Sequence, residues 1–305
     1  MNTISSRHHH PKFDRKLSPA LTVTPGEEVV FETLDACYGE VRSLEDFLAY
    51  RQQPSRGGDP VTGPVFIEGA SPGNTLVVDI LDIEPVSLGF QLIGPDRGII
   101  EKEIPEWTHY LVTAAESRIR LSNGLDFAAE PIIGCFGNAP SGAPTDLTNP
   151  LGGNCDVPAV RTGCRLYIPI EVPGALFSLG DVHARQGDGE VVGAPEIGAR
   201  VTARLDVKPG RHSEWFMIED AACWYTAASA DTEAQAAQKA VFHNAHFIER
   251  EYDIAFEDAL IVLTMIGRLS IARTGRWGRH LPVVCSGFSK QELREALIHY
   301  SRHPV

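Results

Sequence analysis

The chain has 305 residues, 43% hydrophobic and 22% charged, an ordinary globular composition with length enough for a sizeable core. Its 40 acidic against 27 basic side chains give a formal net charge of −13, a balance that repels phosphate backbones and anionic lipid. Nucleic acid and membrane surfaces are therefore not expected partners, and the nearest approach to a spanning segment, ALIVLTMI at 259–266, is too short to cross a bilayer.

The opening MNTISSRHHH lacks the apolar h-region of a secretory leader, and six scattered cysteines form no C-x-x-C pair; both favour a cytoplasmic protein with reduced thiols. In chain order, β-rich runs then recur at 20–23, 28–35, 63–70, 74–83, 109–114, 118–127, 165–172, 175–184, 200–207 and 214–220. Pro-Gly pairs at 25–26, 72–73, 173–174 and 209–210 punctuate them, and Asn123-Gly124 carries a strong hairpin signal. Short strands at such spacing predict a mainly β fold with a sandwich- or barrel-like body.

Past residue 225 the period changes. Residues 231–252 read as a helix capped by Asp231, with a stripe of Ala234, Ala237, Val241, Ala245 and Ile248. AFEDALIVLTMI (255–266) is apolar nearly all round and reads as a buried helix ended by Gly267. Ser289 and Glu292 form a capping box opening a last helix to about Tyr300. The expected organisation is a β-rich catalytic body over 1–215 and a smaller α+β portion over 216–305 packed on it, or one interleaved domain.

Chemistry concentrates in LGDVHARQGDGE (179–190). If 175–184 is a strand, Phe177, Leu179, Asp181 and His183 share one face, so an apolar foundation ends in a carboxylate and an imidazole. Gly187 and Gly189 can turn Gln186, Asp188 or Glu190 back toward the same point. Asp, His and Glu together suit Zn²⁺ or a similar divalent ion, or a carboxylate acting as general base on water. A polar hairpin whose acids serve only the turn is the plain alternative. NPLGGNCD (149–156) sets Asn154 and Asp156 at alternate positions after two glycines, with Cys155 between them as a candidate nucleophile that His183 could activate. His243 and His246 flank the helical stripe and read as surface or packing groups. G-x-S-x-G, Walker A, H-E-x-x-H and dinucleotide fingerprints are absent.

These residues resemble a known family. GDVHARQGDGE is similar to the GD-x-HA-x-QGDGE signature of the acetamidase/formamidase family, and LGGNCD resembles its GGN-x-D element. TPGEEVVFETLDACYGE, TGPVFIEGASPGNTLVVDILDI and the leader with His10, Phe13 and Pro19 resemble the preceding segments in the same order. The resemblance implies a hydrolase of small aliphatic amides that releases ammonia, a β-rich fold, a divalent metal near the signature and a homodimer. Carried over by position, Asp35, Asn154, Asp156, Asp181, His183, Gln186 and Glu190 would line the site. On this basis Asp35, Asp181, His183 and Asp156 are expected as ligands for Zn²⁺, with Ca²⁺ as a further ion. Glu190 is expected as the base, His183 as a catalytic group, and Asn154 or Gln186 as the oxyanion donor. Two positions depart from the pattern: Arg185 stands where alanine is common, and RLSIARTGRWGRH (268–280) replaces a segment expected to contain Asp and Gln, with Arg276, Trp277 and Arg279 reshaping one wall. The rival readings are a lactam-hydrolysing or Cys155-dependent amidase and a non-catalytic Ca²⁺-stabilised binding protein.

Overall fold

A computed structural model describes residues 2–95, 97–100, 103–275 and 280–300. Arg276, Trp277 and Arg279 lie outside the described residues. The protein is mainly β: among the described residues, 18 strands join into one largely antiparallel sheet that wraps around its own core, with four helices, three of them in the last quarter of the chain. Strands from both 1–215 and 216–305 share this sheet, since Arg165–Pro169 pairs with Met217–Glu219.

The centre is the strand Ala175–His183, every residue of which is buried. It pairs antiparallel with Ile132–Gly137 and Val61–Ile67, and its far end meets the start of Glu196–Lys208, with His183 opposite Glu196. Glu196–Lys208 in turn pairs with Glu27–Glu32 and with the 19-residue strand Thr75–Ile93. The enclosed core is built from β-branched and aromatic side chains such as Phe31, Val65, Phe136, Phe177 and Val201, all inaccessible to water. A second core around Trp224, Phe247 and Phe288 fixes the C-terminal helices to the sheet.

Several expectations are corrected. The helix Glu233–Tyr252 is capped by Thr232, whose side chain accepts from Gln235 N, and not by Asp231. Of the expected stripe, Ala245 and Ile248 are buried, whereas Ala234 is exposed and Ala237 and Val241 are half-buried. The buried face runs through Ala236, Ala240, Asn244 and Phe247 with those two, because Phe247 fills the second core and Asn244 donates to Ser286 Oγ. The helix Phe256–Ile266 is not buried: only Ala259 is, while Ile261 and Met265 are 56% and 77% exposed. No helix among the described residues is long and apolar enough to cross a membrane.

Candidate active site

Where the central strand ends, its backbone leaves ideal geometry. Asp181 has φ +56°, and the two other acids delivered here, Asp156 and Glu190, have φ +48° and +41°. Non-glycine residues rarely adopt this left-handed region, and strain of this kind clusters at functional sites. The acids crowd over Gly134, which faces Asp181 across the sheet. A Cβ there would stand 2.5 Å from Asp156 Oδ1 and 2.6 Å from Asp181 Oδ2, so only glycine leaves room for both carboxylates.

A cavity of about 370 Å³ opens at this point. Its floor is Asp156, Asp181, His183, Glu190 and Glu196, with Asn154 and Asp59 beside them; Phe47, Tyr50 and Trp107 form an apolar wall. The helix Leu44–Arg51 carries that wall on a small core of its own, where Phe47 packs 4.7 Å from Trp107.

His183 is held from both ends. Its Nδ1 lies 2.7 Å from Gln186 Oε1, which can only accept, so Nδ1 carries the hydrogen. Nε2 then faces Asp181 Oδ1 at 3.5 Å and Glu196 Oε2 at 3.7 Å. Burial works against a charged imidazole, but Glu196 and Asp181 outweigh it and raise His183 well above its ordinary value. Burial likewise opposes charge on Asp181, which His183 nevertheless holds below the usual carboxylate range. Burial, followed by Asp156, pushes Glu190 well up, and burial with the Asp181 charge does the same to Glu196. Asp59 is raised to about 7 by burial and by the charges of Asp181 and Asp156.

The donor set fits a cation. Asp156, Asp181 and His183 offer ligand atoms within 4.8 Å of one another, and Asp59, Cys135 and Asp181 form a second such group. Asp156 Oδ1, Glu190 Oε2 and Glu196 Oε2 are buried acceptors without a hydrogen-bond partner among the described residues. Buried oxygens of this kind cost free energy unless something positive meets them. With Gln186 fixing Nδ1–H, Nε2 is the nitrogen left to ligate, the second-sphere arrangement usual for metal-binding histidine.

Other expected residues do not line the cavity. Asp35, expected as a ligand, spends its carboxylate on a loop: Oδ1 accepts from Cys37 N at 3.1 Å and Gly39 N at 2.8 Å, and Oδ2 pairs with Arg42 at 2.9 Å. Gln186, expected as a possible oxyanion donor, gives its amide hydrogens to the carbonyls of Asp156 and Ala272, at 2.7 and 3.2 Å. Cys155, the alternative nucleophile, is completely buried in the main core, and burial pushes its thiol well up, away from the thiolate. Gly152 and Gly153 allow a close approach, but to the chain's own Phe136 and Leu147 carbonyls. Arg185 points outward to Ala128 O and Glu130. His243 stacks on Trp215 and His246 on Phe256. His10 is structural: Nδ1 donates to Lys12 O, so Nε2 accepts from Ser178 Oγ at 2.9 Å.

The sequence reading missed the aromatic wall of Phe47, Tyr50 and Trp107 and, among the charged groups of the floor, Asp59, Glu196 and Arg273. Asp59 sits in the turn-like SRGGDP, and Glu196 reaches the site only through strand pairing opposite His183. Arg273 ends the strand Gly267–Arg273 and donates to both Asn154 Oδ1 and Asp156 Oδ2. The one available signal for it was the departure of its segment from the expected pattern.

The profile of the Acetamidase/Formamidase family matches residues 2–150 and 142–231. The chain is 25% identical over 274 residues to an acetamidase of Mycolicibacterium smegmatis, a match taking in 66% of each protein. It is 24% identical over 259 residues to a formamidase of Methylophilus methylotrophus, covering 66% of this chain and 63% of that one. The chain thus spans just under two thirds of the length of these curated relatives. Among solved structures, an acetamidase from Bacillus halodurans superposes with a TM-score of 0.88 at 28% identity, covering 96% of this chain and 99% of that one. A gamma lactamase from Delftia acidovorans, at 19% identity and a TM-score of 0.63 over 98% of this chain and 91% of that one, shares the fold.

Proposed function

The chain belongs to the acetamidase/formamidase family, and from that premise we propose that it hydrolyses small linear amides of the formamide and acetamide kind, releasing ammonia. The observation that carries this reading is the buried cluster of Asp156, Asp181, His183 and Glu190 at the floor of the cavity. Asp181, His183 and Asp156 would hold a divalent ion, Zn²⁺ first given the imidazole nitrogen, with Ca²⁺ suited to the oxygen-rich remainder. Such an ion, when bound, supplies Lewis acidity toward the amide carbonyl and a lowered pKa for water.

The chain's own groups account for the proton movements. Water adds to the carbonyl carbon, and Glu190 takes its proton; the C–N bond then breaks as Glu190 returns that proton to the leaving nitrogen. Burial raises the Glu190 carboxyl, which makes its carboxylate a stronger proton acceptor for the first step. Asn154 Nδ2 donates to the carbonyl oxygen as charge develops on it. Gln186 keeps His183 in one tautomer, and Phe47 and Trp107 limit water at the substrate's far side. The direct test is ammonia release from formamide and acetamide by the purified chain. Release supports the reading, and none from either amide removes it.

We also propose a cytoplasmic homodimer. The six cysteines are all buried and free, which suits a reducing compartment. The exposed face of Phe256–Ile266 runs into the strand Gly267–Arg273, which pairs only with Val283–Ser289 among the described strands and leaves Leu269 57% exposed. The 186–189 turn bonds to the later half of this strand and the residue after it, at Ile271 O, Ala272 O and Thr274 N, so its open edge is the first half around Leu269. An apolar helix beside such an edge is the kind of surface that a second copy covers about a two-fold axis.

A further inference from the structure

The strand Gly267–Arg273 places a guanidinium inside the acid cluster. Arg273 is 3% exposed; one terminal nitrogen donates to both Asn154 Oδ1 and Asp156 Oδ2, and the other donates to Leu281 O at 3.1 Å. Asn154 in turn donates from Nδ2 to Asp59 Oδ2 at 2.7 Å. These neighbours permit one orientation of the Asn154 amide. A half-turn would set its NH₂ against the guanidinium and its oxygen against the Asp59 carboxylate, two donors and two acceptors face to face. With Oδ1 held and one hydrogen on Asp59, the second Nδ2 hydrogen is taken by no described residue, and Asn154 lines the cavity with Asp181 and His183.

We propose that Arg273 is a positioning residue: it locks the Asn154 side chain so that this second N–H is presented to the substrate carbonyl oxygen. The proposal rests on the amide-hydrolase reading above. Elimination strengthens it, because the other neutral amide beside the cluster, Gln186 behind His183, has given both hydrogens to backbone carbonyls. A cation on Oδ1 also polarises the amide, making its N–H a better donor. Lysine could neutralise Asp156 but lacks the planar fork that reaches Asn154, Asp156 and Leu281 together.

The test pairs Arg273→Gln and Arg273→Lys with Asn154→Ala, and reads both kinetics and the side-chain amide NMR signals of Asn154, assigned by their loss in Asn154→Ala. In the wild-type chain the two amide protons should be resolved and protected. In Arg273→Gln they should shift and exchange at least about tenfold faster. With formamide or acetamide, Arg273→Gln should lower kcat roughly 10²–10³-fold, the cost of losing an oxyanion donor, with little change in KM. The double variant should be no worse than Asn154→Ala alone, and Arg273→Lys should fall between. Unchanged Asn154 signals in either Arg273 variant would overturn the proposal whatever the chain's activity, and so would additive losses in the double variant. Absence of amide turnover by the wild-type chain would instead remove the hydrolase reading, while the NMR comparison would still decide whether Arg273 holds Asn154.

Discussion

His183 occupies the position where the most forces meet: Gln186 fixes one nitrogen, and Asp181 and Glu196 face the other. Replacing His183 by Ala should therefore lower kcat for small amides by at least about 10²–10⁴-fold while the chain remains folded by circular dichroism; retained turnover would remove it from the mechanism. Cys155 makes the opposite case. Its thiol is fully buried in the main core, so Cys155→Ser should keep kcat within a few-fold, and substrate should give no protection against thiol alkylation. Most of the acid cluster was legible because Asn154, Asp156, Asp181, His183 and Glu190 lie within two short, chemically dense stretches. Asp59, Glu196 and Arg273 were not, since each arrives from a distant segment through pairing or loop packing that no local pattern encodes. Asp35 illustrates the converse: a strand-end acid looks the same in sequence whether it serves a metal or, as here, a loop and Arg42.

The elements were legible to the extent that their burial was one-sided. The hairpin at Asn123-Gly124 and the capping box at Ser289 are where local chemistry placed them, between Arg118–Leu121 and Asp126–Ala128 and at the start of Lys290–Ala296. Ile132–Gly137 was missed because it is buried on both faces and shows no alternation. The helix Phe256–Ile266 misled in the other direction, because hydrophobicity reports an affinity for burial but not which surface supplies it. One tie between elements carries a pH signature. His10 fastens the leader to Ser178 on the central strand, and its burial lowers it to about 4 from an unfolded value near 6.5. Between those values the unfolded chain binds a proton that the folded chain does not, so this linkage makes stability fall as pH drops from about 6.5 toward 4. The loss should approach, at most, about 3 kcal/mol. Thermal melts across that range should show a shallower decline in His10→Asn, and identical slopes would contradict the assignment.

At the scale of the whole molecule, one continuous sheet brings segments around residues 59, 134, 156, 181, 196 and 273 to a single floor, so the site and the fold are one cooperative object. The surface left over is apolar at Ile261, Met265 and Leu269. Light scattering should give a dimer for the wild-type chain and a monomer for the double change Ile261→Glu and Met265→Glu, and an unaltered mass would place the interface elsewhere. The central claim is amide hydrolysis at the Asp156–Asp181–His183–Glu190 cluster. It is tested most directly by ammonia release from formamide and acetamide, measured on the chain as purified, after chelation, and after Zn²⁺ or Ca²⁺ is returned, with Asp181→Asn in parallel. The account predicts release that chelation abolishes, that one ion restores, and that Asp181→Asn lacks throughout. Release equally strong in Asp181→Asn would contradict it.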